Sequence, residues 1–371
     1  MPPLSLSFST LSATAGADLL AAKSDLARRF LTLAPSRKRG AALFSAAPSP
    51  DPELNVVGVG IGEMISDGRL TGVPAVKLFV RYKAPPSQLG AKNALPKQVH
   101  GVPTDVEEIG LVRPLMAGKR VATRKTKARR PPKPAPSAAP DVVPDPRRYR
   151  RPAQPGCSVG FRFPSQPGEP EPRMAGTFGA LVLADGASVY ILSNNHVLAN
   201  ESQLSAGAPI YQPGLLDDNR PKKNQIAELT RFAPLDPTGT NAVDAAIAEV
   251  LDPKDALPDV LFIGRPAGVA TAELDMTVHK FGRTTSYTVG RVTSLNTDVK
   301  ITYDVGELLF TDQIIIRSAD QHPFSQAGDS GSLILERRTN HAVGLLFAGS
   351  NSHTIANHIQ AVLSQLGVNL V

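Results

Sequence analysis

The residues richest in chemistry are Gly328-Asp329-Ser330-Gly331-Ser332, following Ser325-Gln326-Ala327. A serine hydroxyl is a poor nucleophile at neutral pH. It needs a base to take its proton and amide donors to hold a developing oxyanion. Gly328 has no side chain, so its N–H can face a carbonyl oxygen; the N–H of Ser330 is the second donor, and Gly331 lets a substrate backbone approach. Of the seven histidines, His196 ends the apolar run Ile191-Leu192 where the chain turns polar at Ser193-Asn194-Asn195, a place that presents an imidazole at a rim. Asp244, in Asn241-Ala242-Val243-Asp244-Ala245-Ala246-Ile247, is a carboxylate followed at once by apolar residues, and burial there demands a partner. Taken singly, each has an ordinary alternative: a polar turn, a histidine capping a strand, an aspartate before a strand. Taken together they make a nucleophile, a base and an orienting acid, the set needed for acyl transfer.

Other chemistry is poorly represented. There is no HExxH and no Cys-x-x-Cys, so no metal or other cofactor is expected. Cys157 is the single cysteine and reads as structural; without a second one no intramolecular disulfide exists. Gly58-x-Gly60-x-Gly62 lacks the rest of a dinucleotide fingerprint, and Ser66-Asp67-Gly68 is a turn where a helix should start. Glycines on a strand closely packed by a neighbour explain it better.

The elements that must position these residues are short strands separated by Gly, Pro, Asn and Asp. They include Ala180–Leu183, Val189–Leu192, Ala245–Val250, Val278–Phe281, Gly290–Leu295, Gln313–Ile316, Gly331–Leu335 and Ala342–Phe347, which argue an all-β barrel or sandwich. Ile355, Ile359, Val362, Leu363 and Leu366 fall at helical spacing, so Thr354–Leu366 closes the chain as an amphipathic helix. Upstream, residues 1–50 hold an amphipathic helix over Ala17–Leu33 with Leu19, Leu26, Phe30 and Leu33 on one face. Residues 51–116 form a small α/β or β domain with strands at Leu54–Ile61, Ala75–Tyr82 and Val106–Val112. Residues 117–155 are a basic, Pro-rich, disordered linker, and 156–371 are the large β domain. The net charge is +7. Between Ala117 and Pro152 stand twelve Lys/Arg and two Asp, so that stretch carries +10 and the rest −3. Basicity therefore belongs to the linker, and pI is no argument for nucleic-acid binding by the folded parts.

The three local strings and the order His, Asp, Ser resemble the trypsin-like (chymotrypsin-fold) serine peptidases. Lys280-Phe281-Gly282-Arg283-Thr284-Thr285 followed by Gly290-Arg291-Val292 resembles the opening of the second barrel in intracellular bacterial and plant members of the narrow-leaf type. Gly344–Gly349 is similar to the strand that pairs with substrate backbone. The resemblance covers about 156–371. It implies a mainly β, double β-barrel domain with a C-terminal helix, and a serine endopeptidase with His196 as base, Asp244 as its orienting acid and Ser330 as nucleophile. Gly328 and Ser330 would form the oxyanion hole, and Phe324, Phe347, Ala348 and Gly349 would bind substrate. Phe324 at the pocket base implies a small or apolar side chain at the cleavage site, whereas His353, lining the pocket, would favour an acidic one; a surface-loop histidine is the simpler reading of His353. The sequence departs from the family pattern at Asn194, Asn195 and Val197 around the histidine. It departs again at Phe347, where the family carries a serine that supports the acid. No activating amino terminus is evident, so Asp329 must find another partner.

The expected partner is a polypeptide substrate. Nucleic acid is disfavoured because the basic linker has Tyr149 as its one aromatic, no apolar run has the length of a membrane span, and a homo-oligomer is left open. The lone cysteine and the absence of a signal-like amino terminus point to the cytoplasm. Two other readings compete: a catalytically weak or inactive peptidase-fold scaffold, and an interaction protein acting through its linker. The small domain before the linker is placed to regulate the enzyme, as a pro-domain or inhibitory cap.

Overall fold

The computed structural model describes residues 12–33, 49–66, 69–85, 87, 89–90, 92–119, 143–164, 172–184 and 188–371. The linker's central stretch, 120–142, and Asp67-Gly68 lie outside the described residues. What is described is mainly β: a 13-stranded sheet, a 9-stranded sheet and few helices.

The described residues open with helix α1 (Ala13–Phe30), four residues ahead of the expected start because Ser12 caps it by accepting from the Ala15 N–H. Leu19, Ala22, Leu26 and Phe30 form its buried stripe. Leu33 falls beyond the helix. The stripe packs on strands β1 (Val56–Ser66) and β2 (Arg69–Val80), through Val56, Val59, Ile61, Val76, Leu78 and Val80. A parallel strand β3 (Val102–Glu108) follows, then two short ones, β4 (Arg113–Pro114) and β5 (Ala117–Lys119).

The 9-stranded sheet is built from β6 (Ser158–Phe161), β7 (Arg173–Thr177), β8 (Ala180–Leu183), β9 (Val189–Ser193), β10 (Pro209–Tyr211), β11 (Gln225–Phe232) and β12 (Ala246–Val250), with β5 at one edge and β19 (Asn369–Leu370) at the other. The 13-stranded sheet contains β13 (Thr277–Gly282), β14 (Ser286–Thr302), β15 (Glu307–Ser318), β16 (Leu333–Glu336), β17 (His341–Gly349) and β18 (His353–His358). These six close on themselves in the order β15-β18-β17-β16-β13-β14-β15. The arrangement is double-barrel-like. A shared core seals the two halves: Cys157, Val182, Leu192 and Ile247 from one side meet Leu333, Leu335 and Leu345 from the other, under Ile359, Val362 and Leu366 of helix α2 (Ile359–Leu366). The expected C-terminal helix therefore starts at Ile359. Thr354 and Ile355 are β-branched and pair with Ile316 and Ile315, so the strand wins that stretch.

The upstream strands do not form a sheet of their own. Strand β1 pairs antiparallel with β14, setting Gly58 opposite Val299, Ile61 opposite Leu295 and Gly62 opposite Ser294. Here the glycines have a use. A Cβ at Gly60 would run into Thr297 Oγ1 and Ser294 Oγ, and one at Gly62 would sit 2.5 Å from the Thr293 carbonyl oxygen. The ends of the Pro-rich segment are also placed: Ala117–Lys119 is a strand, and Arg151 Nη1 donates to Gln212 Oε1 at 2.6 Å beside the fully buried Ala153.

Candidate active site

His196 lies in a helical turn, Asn195–Leu198, just after β9; Asp244 precedes β12; Ser330 sits on the tight loop before β16. All three are fully buried. His196 Nδ1 is 2.5 Å from Asp244 Oδ2, and the His196 backbone N–H donates to Asp244 Oδ1 at 3.2 Å. Two of the residues that depart from the trypsin-like pattern, Asn194 and Asn195, serve as anchors. Asn194 Nδ2 donates to the Asp244 carbonyl at 2.8 Å, and Asn195 Nδ2 to the Ala233 carbonyl at 2.7 Å. The other imidazole nitrogen, Nε2, is buried and has no hydrogen-bond partner among the described residues. Ser330 Oγ does not bond to it; it donates to the Phe347 carbonyl at 3.0 Å.

Asp244 carries a second support that the sequence did not flag. Tyr303, near the end of the β14–β15 hairpin, donates its hydroxyl to Asp244 Oδ2 at 2.5 Å. The phenol is held neutral: burial and then the Asp244 carboxylate push it well above its ordinary range. Tyr303 thus supplies the hydrogen bond that Phe347 cannot. Asn357 Oδ1 accepts from the Asp244 N–H at 3.0 Å, and Gln313 Oε1 in turn accepts from Asn357 Nδ2 at 2.7 Å. A tyrosine directly after a strand reads as core from sequence, so no signal separated it from the other aromatics.

Asp329 finds its partners inside the second barrel. Its carboxylate accepts from the N–H groups of Thr284 (2.8 Å), Thr285 (3.1 Å) and Gln326 (2.8 Å), and from Thr285 Oγ1 (2.8 Å). The Lys280 ammonium lies 3.7 Å away, and both side chains are fully buried. Burial pulls Lys280 below the ordinary lysine value and Asp329 opposes the shift. A lysine from β13, with three backbone N–H groups, therefore supplies the partners that the buried Asp329 needs. Removing one member of such a pair strands the other. Lys280→Met should lower stability by about 3–5 kcal/mol, and Lys280→Met with Asp329→Asn should recover most of it. Urea unfolding of the three proteins tests this, and an unchanged Lys280→Met midpoint would remove the role.

Gly328 has φ +105° and Gly331 φ +92°, conformations that L side chains rarely adopt. A group from the same chain occupies the space before them. The Gly328 N–H donates to the Leu115 carbonyl at 2.5 Å, and the Leu115 N–H donates to the Phe347 carbonyl at 3.3 Å. Strand β4 pairs antiparallel with β17, placing Pro114 opposite Ala348 and Arg113 opposite Gly349. Strand β5 then pairs antiparallel with β7, with Ala117 opposite Ala175 and Gly118 opposite Met174. Leu115 packs against the second-barrel cluster that holds Phe324 and Leu346, while Met116 packs against the first-barrel cluster that holds Val197 and Met174. Residues 113–119 thus run across the cleft between the two halves. A cavity of about 970 Å³ beside them is lined by Leu115, Thr284, Ser325, Gln326 and Gly349, among others.

The residues expected to bind substrate are brought to this strand in different ways. Phe347, Ala348 and Gly349 offer backbone; the Phe347 ring turns into the core, 4.8 Å from Phe310. The Phe324 ring is 3% exposed in the barrel core, with the Lys280 ammonium 5.6 Å from its centroid. His353 is no surface-loop residue. It is 3% exposed on β18, its Nε2 2.9 Å from Glu107 Oε1 on β3. Lys77 and Arg317 reach the same carboxylate at 2.8 and 3.2 Å. Burial alone would raise Glu107, but the His353 hydrogen bond and the Lys77 charge outweigh it and hold the carboxyl at about 2. This contact between residues 1–116 and the later chain thus persists at neutral pH and weakens only as acid approaches that value.

Among the described residues no group of three or more His, Cys, Asp or Glu could hold a metal ion, and no helix is long and apolar enough to cross a membrane. No curated protein matches the sequence. Among solved structures the chain is similar to Thermobifida fusca protease A, at 17% identity over 59% of this chain and 99% of that one, TM-score 0.40. It is also similar to Cellulomonas bogoriensis chymotrypsin, at 18% identity over 53% of this chain and 90% of that one, TM-score 0.37. Residues 185–353, which contain His196, Asp244 and Ser330, match the model of Peptidase family S64, so a peptidase domain is what this part of the chain resembles.

Proposed function

We propose that the chain is a serine endopeptidase working through an acyl-enzyme. Ser330 Oγ attacks the substrate carbonyl after rotating to another staggered rotamer, away from the Phe347 carbonyl. His196 Nε2 takes the proton and returns it to the leaving amine. Asp244 holds Nδ1 protonated and stabilises the imidazolium, and the N–H groups of Gly328 and Ser330 hold the oxyanion. The observation that carries this reading is the imidazole itself: fixed by a carboxylate at 2.5 Å on one nitrogen and left buried and unpartnered on the other. A base poised to receive a proton has this form.

Fluorophosphonate labelling tests it. The chain's own strand blocks the cleft, so Leu115→Glu, which places a charge against an apolar cluster, should expose the serine. Labelling is expected to be stoichiometric in Leu115→Glu and absent when Ser330→Ala is added. Equal labelling with and without Ser330 would overturn the assignment. A scaffold that has lost turnover predicts no labelling of any variant.

A further inference from the structure

The strand across the cleft has the hydrogen-bond pattern of a substrate, on both sides of one bond. Upstream, backbone pairing aligns Arg113 and Pro114 along β17, and the Leu115 N–H is tied to Phe347. At the bond itself, the Leu115 carbonyl accepts from Gly328 at 2.5 Å, where an oxyanion would be stabilised. Downstream, β5 pairs with β7. The bond between Leu115 and Met116 is therefore the one presented, with its acyl side chain on the second barrel and its amine side chain on the first.

From this register we infer the substrate class, on the strength of the endopeptidase reading above. The site takes an extended polypeptide with leucine, or a similar branched aliphatic residue, at the position whose carbonyl enters the Gly328 hole. The chain carries one such segment itself, and Leu115–Met116 is the first bond it cuts. Apolar surface receives the Leu115 side chain and the Ser325–Ala327 loop borders it. No acidic group is among the residues lining the adjoining cavity except Glu108, on the far side of Gly110 in sequence. Arg113, two before Leu115, is aligned through its backbone by pairing with Gly349.

The step balances with water as the second reactant. Ser330 Oγ forms a bond to the Leu115 carbonyl carbon and its proton passes to His196. The C–N bond to Met116 breaks and His196 protonates the released amine. Water then hydrolyses the ester, giving a carboxylate at Leu115 and restoring Ser330. Because the segment is tethered in register, the first cut needs no diffusional encounter.

Intact mass and amino-terminal sequencing of the purified full chain should find two fragments, one ending at Leu115 and one beginning at Met116. The Ser330→Ala chain should stay at 39.2 kDa, and Leu115→Glu should be cut at this bond at least 100-fold more slowly. A synthetic decapeptide of residues 111–120, offered to the cleaved enzyme, should be split after its leucine. The same peptide with lysine or glutamate there should lose about 100-fold in kcat/KM. New termini elsewhere, an uncut chain whose Ser330 still labels with fluorophosphonate, or a peptide cut equally well after lysine would overturn the inference while leaving the endopeptidase reading intact. Failure of Ser330 to label in Leu115→Glu would instead bring down that reading.

Discussion

Asp244→Asn is expected to lower kcat on a leucine-containing peptide about 10⁴-fold, with little change in KM. An asparagine fills the same space but its amide presents a donor toward Nδ1. The imidazole would then be turned to the tautomer that keeps its proton on Nε2, where the base must be empty. In this chain the effect should be accompanied by a smaller one at Tyr303. The Tyr303 hydroxyl sits 2.5 Å from the same carboxylate oxygen that faces His196. Tyr303→Phe removes one charge-assisted hydrogen bond, a change of about 1.5–3 kcal/mol, so roughly 10- to 100-fold in kcat. The double variant separates positioning from packing. If Tyr303 acts only by orienting Asp244, its removal should cost almost nothing once Asp244 is asparagine. Steady-state kinetics of the four proteins measures this, and equal losses from Tyr303→Phe in both backgrounds would make Tyr303 a packing residue.

How much of this could be seen in the sequence depends on what each residue must do. Ser330, His196 and Asp244 stand in short strings whose polar chemistry is out of place beside apolar strands, and that mismatch is visible without coordinates. Their separations leave the convergence to the fold, and the fold brings His196 and Asp244 to contact. Tyr303 and Lys280 are different. Each lies within or beside a strand whose other members are core, and only the pairing of β13, β14 and β15 shows which way each side chain points. Asp329 evidently needed a partner, but a buried lysine with backbone amides on the other side is a three-dimensional answer.

Residues 113–119 mislead for a compositional reason. Leu115 and Met116 are two apolar residues at the boundary where the small-domain reading (51–116) gives way to the linker reading (117–155), and neither reading marks them as a strand across a cleft. Backbone pairing needs no apolar periodicity when each strand is two or three residues long. The upstream strands mislead by their separation: 49 residues, the basic segment among them, divide β3 from β6, yet β1 adds directly to β14. The glycines at 58, 60 and 62 were the local trace of that pairing, since close backbone approach was the reading they supported without naming the neighbour.

Gly328→Ala should be the second most damaging change, and it separates two requirements that one glycine meets. The first is conformational: at φ +105° an alanine is strained by about 1–3 kcal/mol. Its methyl would also collide with Thr284 Oγ1 and sit 2.9 Å from Arg283 Nη1. The second is electrostatic. In the proposed mechanism the Gly328 N–H, which donates to the Leu115 carbonyl, faces the oxygen that becomes negative in the transition state, and losing one such donor costs about 10²–10³-fold in kcat. Relieving the collision with Thr284→Ala should return part of the lost stability, because the methyl gains room. It should return little of the rate, because φ still opposes the N–H direction. Urea midpoints and kcat for Gly328→Ala, Thr284→Ala and the pair read the two requirements independently. Should the pair regain rate and stability in the same proportion, crowding alone would explain the glycine, and the oxyanion role of its N–H would have to be given up.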